Sequence, residues 1–192
     1  MPPENFAHVA PFHVWENAFT PAELDSIEAY CDGLKPGRGT VKSDGAIMTY
    51  DEIRVAKTAD ITPTPAISWL YQRVERMLRT LNDQTYKFDL TGFSEPFQYI
   101  VYNGEEGGHF TWHVDNGHLP APRKLSASLQ LTDSGLYEGC DLELQGGSQI
   151  EAAPRTRGAL VVFPSYVLHR VTPIRSGTRK AVVIWSTGPN FR

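Results

Sequence analysis

His113 and Asp115 stand two residues apart in Thr111-Trp112-His113-Val114-Asp115-Asn116-Gly117, just after a short apolar run. In an extended strand, residues i and i+2 point to the same face. An imidazole and a carboxylate at this spacing can therefore approach one metal ion from one side. A third ligand would complete a two-histidine, one-carboxylate set, the arrangement that leaves open positions on non-haem Fe(II). His169, far downstream, is the candidate. The pair alone is a weak signal, because two such residue types often fall at this spacing by chance. His169 lies among apolar residues in Val167-Leu168-His169-Arg170-Val171, where a satisfied core histidine is the competing reading.

A second group of residues suits an organic acid. Arg179 opens Arg179-Lys180-Ala181-Val182-Val183-Ile184-Trp185, a strand pattern in which Arg179, Ala181, Val183 and Trp185 share one face. An arginine on the apolar face of a buried strand is costly unless an anion answers it. Guanidinium binds carboxylate bidentately. The alternative is that Arg179 and Lys180 mark a solvated strand entrance. Tyr102 closes Gln98-Tyr99-Ile100-Val101-Tyr102, and its hydroxyl could donate to the same carboxylate; a core or rim tyrosine is the competing reading. Arg54, in Ile53-Arg54-Val55-Ala56, alternates with apolar neighbours and reads as solvated rather than as a substrate contact.

The elements that would position these residues follow from patterning. A first short strand is expected over 11–15. Thr20-Pro21-Ala22-Glu23 is a helix start, with Thr20 as cap, Pro21 at the first helical position and Glu23 completing a capping box. Leu24, Ile27 and Tyr30 or Cys31 follow at helical spacing and Gly33 ends the run, which predicts a helix over 21–32. The glycine-rich stretch 33–52 reads as a loop, with a short hairpin or a lid over a site as options, and 53–56 as a short strand. Apolar residues at three- and four-residue steps predict a second helix over 63–81. From residue 86 the pattern changes to short strands: 86–91, 97–102, 109–113, 124–131, 141–145, 149–153, 159–163, 167–171 and 179–187. Many short strands after two helices suggest a β-sandwich or jelly roll supported on one face. The expectation is a single domain over 1–192, with 1–85 as supporting helices and loop and 86–192 as the core carrying the site.

Composition bounds the function. The 192 residues are 41% hydrophobic and 21% charged, ordinary for a chain with a real core. A net charge of -4 offers no electrostatic argument for a nucleic-acid partner. Two cysteines, Cys31 and Cys140, are no disulfide framework and are read as reduced thiols. No apolar run approaches the ~20 residues of a membrane span. Met1-Pro2-Pro3-Glu4-Asn5 has no basic region followed by a hydrophobic one. A cytoplasmic location is the expectation.

Taken together, these residues resemble the Fe(II)/2-oxoglutarate-dependent dioxygenases, and within them the prolyl 4-hydroxylase-like group, from about Phe97 to Arg192. His113, Asp115 and His169 match that family's metal triad. Arg179 matches the basic residue that holds the distal carboxylate of 2-oxoglutarate, and Trp185 a frequent aromatic beyond it. Arg123-Lys124-Leu125-Ser126, Tyr137-Glu138-Gly139 with Leu142-Glu143-Leu144, and Gly188-Pro189-Asn190-Phe191 look like a bacterial and phage branch. Two departures stand out. Cys140 follows Gly139 where related sequences usually carry a glycine pair. Leu129 stands where some animal prolyl hydroxylases place a tyrosine near the co-substrate, which would leave more of that work to Tyr102.

The resemblance implies a mainly β fold with supporting helices, a double-stranded β-helix (jelly roll, cupin-like) packed on the N-terminal helices. It implies Fe(II), 2-oxoglutarate and O2, with ascorbate as a supporting reductant. The implied reaction hydroxylates an unactivated C–H, on a prolyl or other side chain of a peptide or protein, and releases succinate and CO2. No acid–base side chain is required. The same chemistry on a free amino acid or small metabolite is the alternative. A non-catalytic jelly-roll module that binds a small acid is a reading of another class. Asp115 argues against it, since a pocket for an acid gains nothing from a carboxylate beside two histidines.

Overall fold

The computed structural model describes residues 10–39, 51–115 and 122–190 in full, and the backbone alone over 41–43 and 46–48. The first nine residues, Gly45, Asn116, Gly117 and Phe191, which entered the sequence reading, lie outside the described residues.

In chain order the elements are β1 (His13–Trp15), α1 (Pro21–Asp32), β2 (Gly37–Arg38), β3 (Val41–Ser43), β4 (Ala46–Met48), β5 (Arg54–Val55), β6 (Lys57–Ile61) and α2 (Ser68–Leu81). They continue with β7 (Phe97–Asn103), β8 (His109–His113), β9 (Arg123–Gln130), β10 (Tyr137–Gly139), β11 (Leu142–Gly146), β12 (Gln149–Ala152), β13 (Leu160–Pro164), β14 (His169–Val171) and β15 (Ile174–Thr187). Helix α1 starts where its sequence dictates. Thr20 Oγ1 accepts the Glu23 N–H at 3.3 Å, and Glu23 Oε2 accepts the Thr20 N–H at 2.9 Å. Leu24, Ile27 and Cys31 form its buried stripe.

Three expectations are corrected. Helix α2 begins at Ser68, not at 63, because Pro63 and Pro65 push the residues before them into extended backbone. Residues 86–91 form no strand. The buried Asn82 side chain occupies the backbone of Phe88 instead, donating to its carbonyl at 2.8 Å and accepting from its N–H at 2.9 Å. Strand β6 was not expected; it pairs with β7 along Lys57-Thr58-Ala59-Asp60-Ile61 and buries Ile61 in the core.

Among the described residues the strands form two main sheets. The larger runs β1-β13-β9-β15-β7-β6-β2, with β10 paired to β15; the smaller runs β12-β11-β14-β8-β5. Strands β1, β2, β5 and β6 come from the first 85 residues, so that region supplies sheet as well as helices. One face of the larger sheet packs on the helices: Leu70, Val74 and Leu78 of α2 and Ile27 of α1 cluster with Tyr99, Leu129, Val182 and Ile184. The other face meets the smaller sheet through Ile100, Tyr102, Leu144, Val161, Phe163 and Val171. Two sheets facing each other with helices behind one of them make a jelly roll, a double-stranded β-helix. Cys31 and Cys140 are free, buried and in different clusters. No helix of the described residues is long and apolar enough to cross a membrane.

Candidate active site

His113 and His169 face each other directly in the β8–β14 pairing, with ring centroids 4.1 Å apart. Strand β8 ends at His113, and Asp115 lies just beyond it, tied down where its N–H donates to the Ser165 carbonyl at 2.8 Å. The carboxylate then reaches the Nε2 atoms of both rings. Oδ1 is 3.8 Å from His113 Nε2, and Oδ2 is 3.6 Å from His169 Nε2. One ligand atom from each of the three residues falls within 4.8 Å of the others.

The surroundings prepare this set for a cation. His113 Nδ1 lies 2.8 Å from the Thr111 carbonyl, and His169 Nδ1 lies 2.9 Å from that of Val167. A carbonyl only accepts, so both Nδ1 atoms carry the proton and both Nε2 lone pairs point inward. Burial, reinforced by the neighbouring His169, pushes the His113 pKa down to about 4, which leaves the ring neutral and able to ligate near neutral pH. Burial alone would raise the Asp115 pKa; the two imidazoles and the Ser126 hydroxyl outweigh it and hold the carboxyl below its usual range. Asp115 Oδ2 accepts from Ser126 Oγ at 2.7 Å and from Trp185 Nε1 at 2.9 Å. Trp185 is covered by Arg123, 3.8 Å from its ring centroid, and Glu95 holds Arg123 bidentately at 2.7 and 2.8 Å. Two inward Nε2 atoms, a carboxyl held below its usual range and oriented outer partners fit a divalent iron site.

From this triad a cavity of about 60 Å³ runs between the sheets. Arg179, Ala181, Val183 and Trp185 all line it, as the two-residue period requires. Arg179 is 3% exposed, and among the described residues no carboxylate pairs with it. Tyr102 is its register partner across β7–β15, is 2% exposed, and turns its ring toward the guanidinium, 5.6 Å from the centroid. The solvated-entrance reading of Arg179 and the rim reading of Tyr102 therefore do not hold.

Two residues behave differently from expectation. Arg54 is not solvated: it is buried, lines the cavity, donates to Gln98 Oε1 at 3.0 Å and lies 5.0 Å from the Phe110 ring centroid. Its strand is short and pairs with β8, so its face is set by the partner strand. Leu129 does not stand near the co-substrate end. It packs on the helix side of the larger sheet, and its neighbour Gln130 meets Arg179 instead. A one-residue offset in a strand exchanges the faces. The signal was present in Leu125-Ser126-Ala127-Ser128-Leu129-Gln130, where every polar residue falls on one face of a strand buried on both. Cys140 takes a left-handed φ of 58°, its thiol 4.0 Å from Arg179 Nη1. At Gly139 any Cβ would come within 2.5 Å of the Pro173 carbonyl oxygen, so only glycine fits there.

Residues 97–187 match the model of the 2OG-Fe(II) oxygenase superfamily. This stretch, just under half of the chain, holds His113, Asp115, His169, Arg179 and Tyr102. A PKHD-type hydroxylase of Synechococcus sp. (strain CC9311) is 36% identical over 89 residues, 46% of this chain and 40% of that protein. The matched stretch thus spans less than half the length of that curated relative. A solved prolyl-4-hydroxylase of Pseudomonas putida superposes with a TM-score of 0.72 at 21% identity, over 94% of both chains. A prolyl hydroxylase of Trichoplax adhaerens, solved with a hypoxia inducible factor peptide fragment, gives 0.76 at 19% identity, over 92% of this chain and 83% of that one. These two likenesses establish the fold.

Proposed function

We propose that the chain is an Fe(II)- and 2-oxoglutarate-dependent hydroxylase acting on a side chain of a peptide or protein. The observation that carries this is the pairing, in one cavity, of a preformed His-Asp-His set with a buried arginine, Arg179, that has no anionic partner among the described residues. A buried guanidinium left unanswered costs several kcal/mol; a dicarboxylate whose far end reaches it removes that cost. In this reading His113, Asp115 and His169 hold the iron, and Arg179 with Tyr102 takes the distal carboxylate of 2-oxoglutarate. Together with O2 and 2-oxoglutarate, iron held there supplies the oxidising power to hydroxylate an unactivated C–H, with succinate and CO2 as co-products. The protein's share is orientation and exclusion: the sheets wall off water, and no side chain need move a proton.

A peptide is favoured over a small metabolite by a solved neighbour of the same fold: the Trichoplax prolyl hydroxylase was solved with a peptide fragment, which supports a peptide substrate.

The test is succinate formation by the purified chain with Fe(II), 2-oxoglutarate, O2 and ascorbate, with mass spectrometry of candidate peptides for a gain of one oxygen. Turnover that survives in Asp115→Ala would refute the metal assignment. Succinate formed with oxygen gained only by free amino acids or metabolites would replace the peptide reading with the small-molecule one.

A further inference from the structure

The closed end of the cavity contains a polar contact that the family resemblance did not supply. On β9, Ser128 lines the cavity and Gln130 shares its face by the two-residue period, while Leu125 and Leu129 pack with the helices. Gln130 is 2% exposed. It is the register partner of Ala181 and so lies diagonally across from Arg179, within reach of a long side chain. Its Oε1 accepts from Arg179 Nε at 3.2 Å and from Nη2 at 2.8 Å. Its Nε2 donates to Ser128 Oγ at 3.1 Å. The amide orientation is fixed by chemistry, since a guanidinium only donates and the atom facing it must be the oxygen.

This geometry decides which edge of Arg179 is free. A guanidinium can pair side-on through Nε and one Nη, or end-on through both Nη atoms. Gln130 occupies the side-on edge. At the other end, Nη1 meets only the Cys140 thiol at 4.0 Å, a weak acceptor. Because a carboxamide is neutral, it holds the guanidinium without cancelling its charge.

We propose that Gln130 is a positioning residue of the co-substrate subsite: by taking the side-on edge of Arg179 it reserves the Nη1–Nη2 end for the distal carboxylate, and so sets the preference for a dicarboxylic over a monocarboxylic 2-oxo acid. The proposal rests on the reading of Arg179 given above.

The experiment measures binding without turnover. Calorimetry on the Mn(II)-loaded chain gives Kd for 2-oxoglutarate and for 2-oxobutanoate, which has the same keto-acid end and no distal carboxylate. In Gln130→Glu the new carboxylate neutralises Arg179, and affinity for 2-oxoglutarate falls about a hundredfold. In Gln130→Leu the guanidinium loses its anchor and the fall is about tenfold. Affinity for 2-oxobutanoate stays within about threefold in both. In turnover, the KM for 2-oxoglutarate rises while kcat at saturation holds. Equal weakening of both acids would show a merely structural role and overturn the proposal. So would an unchanged diacid preference in both variants while Arg179→Met abolishes it. A preference that survives Arg179→Met would instead sink the co-substrate reading itself. If Gln130→Glu fails to fold, Gln130→Leu carries the same comparison.

Discussion

At the mouth of the cavity, each histidine is aimed by its own neighbourhood. His113 donates to the Thr111 carbonyl and His169 to that of Val167, two residues back in both cases. At the closed end, nothing local aims Arg179. Its direction comes from Gln130, 49 residues away in sequence, and from Tyr102 on the facing strand. The two imidazoles are thus aimed by short-range bonds on two strands of the smaller sheet, while Asp115 and the acid end depend on contacts made only once the larger sheet has assembled. The first kind of order survives local perturbation better, and the second couples ligand preference to strand packing.

The sharpest way to break this contrast is at the mouth. Asp115→Ala removes the carboxylate shared by both imidazoles, and turnover should fall at least about a thousandfold, with Mn(II) affinity lost in parallel by electron paramagnetic resonance. Removing the metal with a chelator should abolish turnover in the native chain, and Fe(II) should restore it. At the other end, Arg179→Met should raise the KM for 2-oxoglutarate about a hundredfold and leave Mn(II) affinity within about threefold. If the two ends proved coupled, so that Arg179→Met also cost metal, the contrast would fail. Trp185→Phe keeps the ring but removes the donor to Asp115 Oδ2, and should weaken metal binding about tenfold, measured by metal competition.

The smallest effect tests the backbone beside Arg179. Cys140 is fully buried with a φ of 58°, a region costing a residue with a Cβ about 1 kcal/mol or more. Cys140→Gly should therefore be about 1 kcal/mol more stable than Cys140→Ala in thermal or urea unfolding, the reverse of the order at an ordinary buried position.

What the sequence disclosed follows the same division. The capping box of Thr20 and Glu23 and the spacing of Leu24, Ile27 and Cys31 fix α1 to the residue, because those interactions span four positions or fewer. The triad was legible as residue types and strand period, and its closure needed only the direct pairing of β8 with β14. Arg54 was misread because its burial comes from pairing with β8 and the contacts with Gln98 and Phe110, none visible in Ile53-Arg54-Val55. Gln130 was missed by one position: the leucine drew attention, while the face that matters is chosen by which side of β9 the helices cover. Strand β6 was missed because its pairing with β7 is not visible in Lys57-Thr58-Ala59-Asp60-Ile61.

Strand β14 is only three residues long, and its pairing with β8 changes register between His169 and Val171. A slip of one position would swing one imidazole out to solvent and leave Asp115 with a single nitrogen neighbour. An ion held by His113, Asp115 and His169 would therefore lock only the correctly threaded sheet and leave a mis-threaded one without that clasp.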